Sequence, residues 1–283
     1  WLSITGIKEH WEPARVKATI LGNQIKVTAS DVTGLKFEMA AGLAPFDITQ
    51  PVTIEINKQS IPAPQAKSDR SWIFQLHLSD GKWVAGARPR DGLQKRHGLQ
   101  GPIDDALLSS FLMVTPSGQP MNEVIGKWTA TEQAHALKHW RQHFRGHARV
   151  KADTAVTAED IAHHNLILWG DFASNKIIGD ILARLPLTWN EQGVSIGEKV
   201  FDAKSHAPIL IYPNPLNPNK YIVINSGFTY REYAYLNNAR QVPMLPDWAI
   251  VDVVNKPEPN DSIYRFPGIP KDANFFDENW NVK

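Results

Sequence analysis

The sequence has no cysteine. That excludes disulfides, thiolate metal sites and a cysteine nucleophile, and it fits a reducing cytosol and a cysteine-avoiding bacterial exterior equally. Net charge is nearly absent: 30 Lys and Arg against 29 Asp and Glu leave a formal +1 over 283 residues, with no pull toward nucleic acid or a membrane surface. No apolar run approaches the ~18 residues that span a bilayer. The chain starts at Trp1 with no charged-then-apolar leader behind it, and because Trp1 is not a translation start we expect that something precedes it.

What is present is a globular composition, 42% hydrophobic and 21% charged, in a chain long enough for two packed units. Up to about Arg90 the pattern has period two. Ile25, Val27 and Ala29 alternate with Lys26, Thr28 and Ser30, and Val52, Ile54 and Ile56 and then Trp72, Phe74, Leu76 and Leu78 repeat it. Asn57-Lys58 and Asp80-Gly81 supply turns, so an antiparallel β-sandwich is expected over residues 1–93. After the connector QKRHGLQGP the rhythm becomes strand and helix. Short apolar runs at Ser110 to Val114, Asn165 to Trp169, Tyr221 to Asn225 and Trp248 to Val254 read as buried parallel strands. Helices are expected over Asn122 to Arg145, Ala158 to His163, Ser174 to Leu185 and Thr229 to Asn238. The expectation for 94–255 is a doubly wound Rossmann-like α/β domain, with 256–283 as a tail packed on the body.

The turn Gly170-Asp171-Phe172-Ala173-Ser174-Asn175 lacks the later glycines of a dinucleotide fingerprint, and Phe172 and Lys176 obstruct a pyrophosphate. Ser174 or Asn175 reads instead as a helix cap, over a buried stripe of Ile177, Ile178, Ile181, Leu182 and Leu185. No G-x-S-x-G nucleophile elbow is expected anywhere in the chain: Ser226 is the nearest imitation, but Ile224 and Phe228 stand where an elbow needs glycine. Ser174, Asp202 and His206 keep a hydrolase's chain order at a spacing that matches no elbow. His135, His139 and His143 recur at i+4, yet Leu137, Trp140 and Phe144 read as the buried stripe of that helix, which leaves the histidines solvated and no metal site. No cofactor is expected. Of the ten tryptophans, Trp72, Trp140, Trp169 and Trp248 read as core, and Trp1, Trp11 and Trp280 stay open as stacking surfaces for sugar. In YPNPLNPNKYIVINSG, prolines fix a loop whose Asn214, Asn217 and Asn219 can bond its own backbone.

Four stretches, EHWEPARV, KRHGLQGPIDDA, NLILWGD and YPNPLNPNKYIVINSG, together resemble the non-catalytic C-terminal region of secreted bacterial prolyl oligopeptidase-like and esterase-like proteins, over nearly the whole chain. The resemblance implies an α/β-hydrolase catalytic domain upstream or in a separate chain, a secreted or periplasmic location, and a link to polysaccharide or peptide breakdown. It carries no catalytic residue onto this sequence. The expected function is an accessory region that packs on or positions the catalytic domain. The alternatives are an independent enzyme with a site at the strand ends, formed by Asp171, Ser174, Asn175, Asn214, Ser226 and Arg231, or a glycan-binding module.

Overall fold

Period-two alternation builds the first of two units, Trp1–His97 and Gly98–Lys283, in a computed structural model that describes residues 1–89, 92–229, 245–255 and 267–283. Its strands are β1 (Leu2–Ile7), β2 (Arg15–Leu21), β3 (Gln24–Ser30), β4 (Val32–Met39), β5 (Val52–Ile56), β6 (Gln59–Ala63), β7 (Trp72–Ser79) and β8 (Lys82–Ala85). They make two four-stranded sheets, ordered β1-β4-β7-β8 and β2-β3-β5-β6, whose inward residues, Ile25, Leu35, Phe37, Ile54, Trp72 and Leu76 among them, share one core. Of the three two-residue hairpin turns in this unit, Asn57-Lys58 (φ 45° and 72°) and Asp80-Gly81 (φ 47° and 75°) have left-handed backbone at both positions, the geometry whose twist matches that of the flanking strands, and Gly22-Asn23 has it at Gly22 (φ 59°).

The expectation of a wholly antiparallel sandwich is corrected here. β3 and β5 pair in parallel, because β4 between them belongs to the other sheet and the chain re-enters the first sheet in its original direction.

The second unit carries β9 (Phe111–Thr115), α1 (Glu123–Phe144), β10 (Val150–Ala152), α2 (Ala158–His163), β11 (Asn165–Leu168), α3 (Lys176–Ile181), β12 (Thr188–Trp189), β13 (Gly193–Ser195), β14 (Phe201–Asp202), β15 (His206–Asn214), β16 (Asn217–Ile224), β17 (Trp248–Asp252) and β18 (Ile269–Asn274). Seven strands form one sheet in the order β10-β9-β11-β16-β15-β17-β18, and β12-β13-β14 form a small separate one. Pairing is parallel from β10 to β16 and antiparallel from there to β18.

This overturns the doubly wound Rossmann-like domain. Such a fold needs a helix crossover for each parallel strand, but the described residues hold three α-helices, two of only six residues, and β15 returns directly on β16 as a hairpin. The apolar runs misled because burial on both faces reports what covers a strand and not its direction. β15 and β17 are as deeply buried as β11, yet they pair antiparallel.

The helix ends follow local chemistry. Asn122 caps α1 by accepting from Ile125 N–H at 2.9 Å, and Arg145 ends it in left-handed backbone (φ 62°). Thr157 and Asp160 close a capping box on α2. α3 is shorter than expected, beginning after Asn175 and passing into a 3-10 turn at Leu182–Arg184. The helix expected over Thr229 to Asn238 falls outside the described residues from position 230 on, and Arg231 with it. Phe276 and Trp280, both buried, pack on Tyr212 at 5.6 and 5.8 Å between ring centroids, within the second unit.

Candidate functional site

The parallel strands β9, β11 and β16 present their carboxyl ends together, which is where an open sheet offers a crevice. The turn after β11 and the turn after β16 are neighbours there, joined by one side chain. Asn225, in left-handed backbone (φ 55°), accepts from Gly170 N–H and donates to Gly170 C=O, each at 2.9 Å. Gly170 has φ 111°, and a Cβ there would lie 2.6 Å from Ser174 Oγ, so no other residue fits.

Within the Gly170 turn the polar groups are spent on one another. Asp171 is fully buried. One of its oxygens accepts from Ala173 N–H at 2.9 Å and Ser174 N–H at 2.8 Å, and the other accepts from Met121 N–H at 2.9 Å. Ser174 Oγ accepts from Asp171 N–H at 2.9 Å. Asn175 caps α3 through Oδ1, accepting from Ile177 and Ile178, and donates Nδ2 to Trp169 C=O at 2.9 Å. Phe172 meets Trp189 edge-on at 5.8 Å.

On the β16 side, Ser226 Oγ donates to Gly227 C=O at 2.9 Å. Gly227 lets α1 cross closely, since a Cβ there would stand 2.7 Å from Ala136 Cβ. Phe228 stacks on His139 with 4.2 Å between centroids and meets Phe144 edge-on at 5.2 Å. Among the described residues a cavity of about 20 Å³ lies here, lined by Glu132, His135 and His139 of α1 with Trp169, Ser226 and Phe228. That is the volume of about one water molecule.

The solvated-histidine reading is corrected for His139, which is buried, while His135 and His143 are half-buried. The buried face of α1 is Ile125, Trp128, Thr129, Glu132, Gln133, Ala136 and His139, whereas Phe144 is 47% exposed. The helix is rotated from the expected stripe and sets Ala136 against Gly227. Among the described residues no group of three or more His, Asp or Glu is arranged to hold a metal ion.

Asn214 does not join this end. It is buried in the β15–β16 hairpin, accepting from Leu216 N–H at 2.9 Å, roughly 25 Å along β16 from Ser226. Arg231 lies outside the described residues. A G-x-S-x-G pattern does occur, at Gly193 to Gly197, but Ser195 ends β13 in the small antiparallel sheet and is not at a strand-to-helix turn. The following Asp202 and His206 make no triad with it. The His206 ring bonds Asp202 C=O and Ser205 Oγ, each at 3.0 Å, and the Asp202 carboxylate accepts from Lys204 N–H at 2.9 Å.

Sequence reasoning passed over two acids in the GPIDDA stretch. Asp104, buried, accepts from Thr229 N–H at 2.6 Å and from its hydroxyl. Asp105 takes the Tyr221 hydroxyl, which in turn accepts from Gly101 N–H at 3.0 Å. Burial and the neighbouring Asp105 push the Tyr221 phenol far above its ordinary range, so it stays a donor. Two adjacent acids beside proline in an apolar context were the available signal. Compared with protein-family models, curated proteins and solved structures, the chain matches none.

Proposed function

We propose that this chain is the non-catalytic accessory region of a secreted serine hydrolase of the prolyl oligopeptidase-like or esterase-like kind, packing on or positioning the catalytic domain. The observation that carries this reading is the filled strand-end crevice. Asp171 and Ser174 satisfy each other, Asn175 is spent on Trp169 and the start of α3, Phe228 packs into α1, and among the described residues about 20 Å³ is open there, far below the few hundred Å³ of a ligand pocket. The stretches that carry the family resemblance act as internal fasteners: Asp104 and Asp105 hold Thr229 and Tyr221, and Asn214 shapes its own hairpin.

A second reading has one specific support. Ser226, His135, His139 and Glu132 line the same cavity, which are the residue types of a serine nucleophile, base and orienting acid. One experiment separates the two. Incubated with a fluorophosphonate probe and mapped by peptide mass spectrometry, the chain should show no stoichiometrically labelled serine. Full labelling of Ser226, lost in His135→Ala or His139→Ala, would replace the accessory reading with the enzymatic one.

A further inference from the structure

The outward residues of the β2-β3-β5-β6 sheet include Arg15, Lys17 and Thr19 on β2 and Lys26, Thr28 and Ser30 on β3, all exposed. Register sets Arg15 opposite Ser30, Lys17 opposite Thr28 and Lys26 opposite Glu55. Lys58 extends the row from the β5–β6 turn, where Asn57 is tied to Ala29 by two side-chain hydrogen bonds of 3.0 and 2.7 Å. Four cations thus share this side of the sheet with one carboxylate, and Glu55 takes the amide of Gln24 at 3.2 Å. None of the four has an ion-pair partner among the described residues.

Two shallow troughs meet at Thr28: one of about 660 Å³ where Arg15, Lys17 and Ser30 stand beside Ile4, Ala14 and Val16, the other of about 540 Å³ where Lys26, Asn57 and Lys58 stand beside Val27, Ala29 and Glu55. Protection of an edge strand against aggregation accounts for charge on β2, which is an edge. It does not account for Lys26, on an interior strand, or Lys58, at a turn. Gathering like charges on one face costs stability through repulsion, and a polyanion would relieve that cost.

We infer that this face binds an anionic polysaccharide. The troughs run across β2, β3 and the end of β5, strands spaced ~4.8 Å apart, so the cations are spread over the face and do not converge on one pocket. Hydroxyl and amide groups of Thr19, Thr28, Ser30 and Asn57 stand between them, suited to sugar hydroxyls. The troughs hold no aromatic ring, which disfavours stacking of a neutral sugar or a nucleobase and removes the usual anchor of a protein interface.

The test is affinity electrophoresis of the full chain in native gels containing alginate, which offers carboxylates, chondroitin sulfate, which offers sulfates as well, or neutral dextran. Retardation is expected with at least one of the anionic polymers and not with dextran, weakening at least about tenfold between ~0.05 and ~0.5 M NaCl as screening grows. Lys17→Glu with Lys26→Glu should abolish the retardation while the far-ultraviolet dichroism of the fold is kept, and Lys17→Gln with Lys26→Gln should reduce it. No retardation by either anionic polymer, retardation unchanged in the charge-reversed pair, or equally tight binding of double-stranded DNA would each overturn the inference.

Discussion

Asp171 is the residue where a ligand role and a structural role make opposite demands. Its two oxygens receive three backbone N–H groups inside the protein, and an amide in its place must turn an N–H toward at least one of those donors. Asp171→Asn should therefore cost about 2–3 kcal/mol, the penalty for breaking a buried charge-assisted bond, measured by urea unfolding. Stability equal to the parent would show that Asp171 is held loosely enough to serve a ligand. Asp160 gives a second test at this scale. Lys151 Nζ bonds both of its oxygens at 2.7 and 2.8 Å, and with the Thr157 N–H this lowers its pKa to about 2. A carboxyl depressed in the folded state stabilises fully above its unfolded value near 4, and the contribution fades as pH falls toward 2. Asp160→Asn should lower stability by about 1–2 kcal/mol at pH 7 and flatten the acid-side loss between pH ~4 and ~2. An unaltered acid limb would mean that the Lys151 pair does not form in solution.

Among the elements, α1 is the one whose placement rests on a single close approach. Gly227→Ala should destabilise by about 1–3 kcal/mol through overpacking against Ala136. If that contact is the cause, Ala136→Gly should cost less in the Gly227→Ala background than in the parent, a coupling readable from a double-mutant cycle. Purely additive changes would place the strain elsewhere. This helix also shows where the sequence is legible. Its caps, Asn122 and Arg145, are local chemistry, and the Thr157 and Asp160 box and the Asn57-Lys58 turn are equally so. Which face turns inward is not local. Leu137, Trp140 and Phe144 make the more apolar stripe, yet it is Ala136 that faces inward, against the distant Gly227. Strand direction fails for the same reason, since β15 and β17 owe their burial to long-range cover. At the strand ends the neighbouring Gly170 and Ser226 turns follow from β11 pairing with β16, whereas the separation of Asn214 follows from chain direction along β16, which composition does not report.

At the scale of the whole molecule, the core of the first unit is drawn entirely from residues before position 84. Residues 1–97 expressed alone should melt cooperatively, with near-ultraviolet dichroism from Trp72 packed against Phe37 and Phe46. A broad, non-cooperative melt would mean that this unit needs the rest of the chain.

The parallel pairing of β3 with β5 also governs how that unit is reached during synthesis. β2 and β3 can zip as a hairpin, but Leu2 must find Phe37 and Met39 must find Trp72 across long stretches of chain, and β5 reaches β3 only once the intervening β4 segment has been made. High contact order of this kind places folding in the millisecond to second range and not in microseconds. While the ribosome supplies residues between β1 and β4, the uncharged strand LSITGI waits without a partner, and a chaperone or the ribosome surface has its opportunity there.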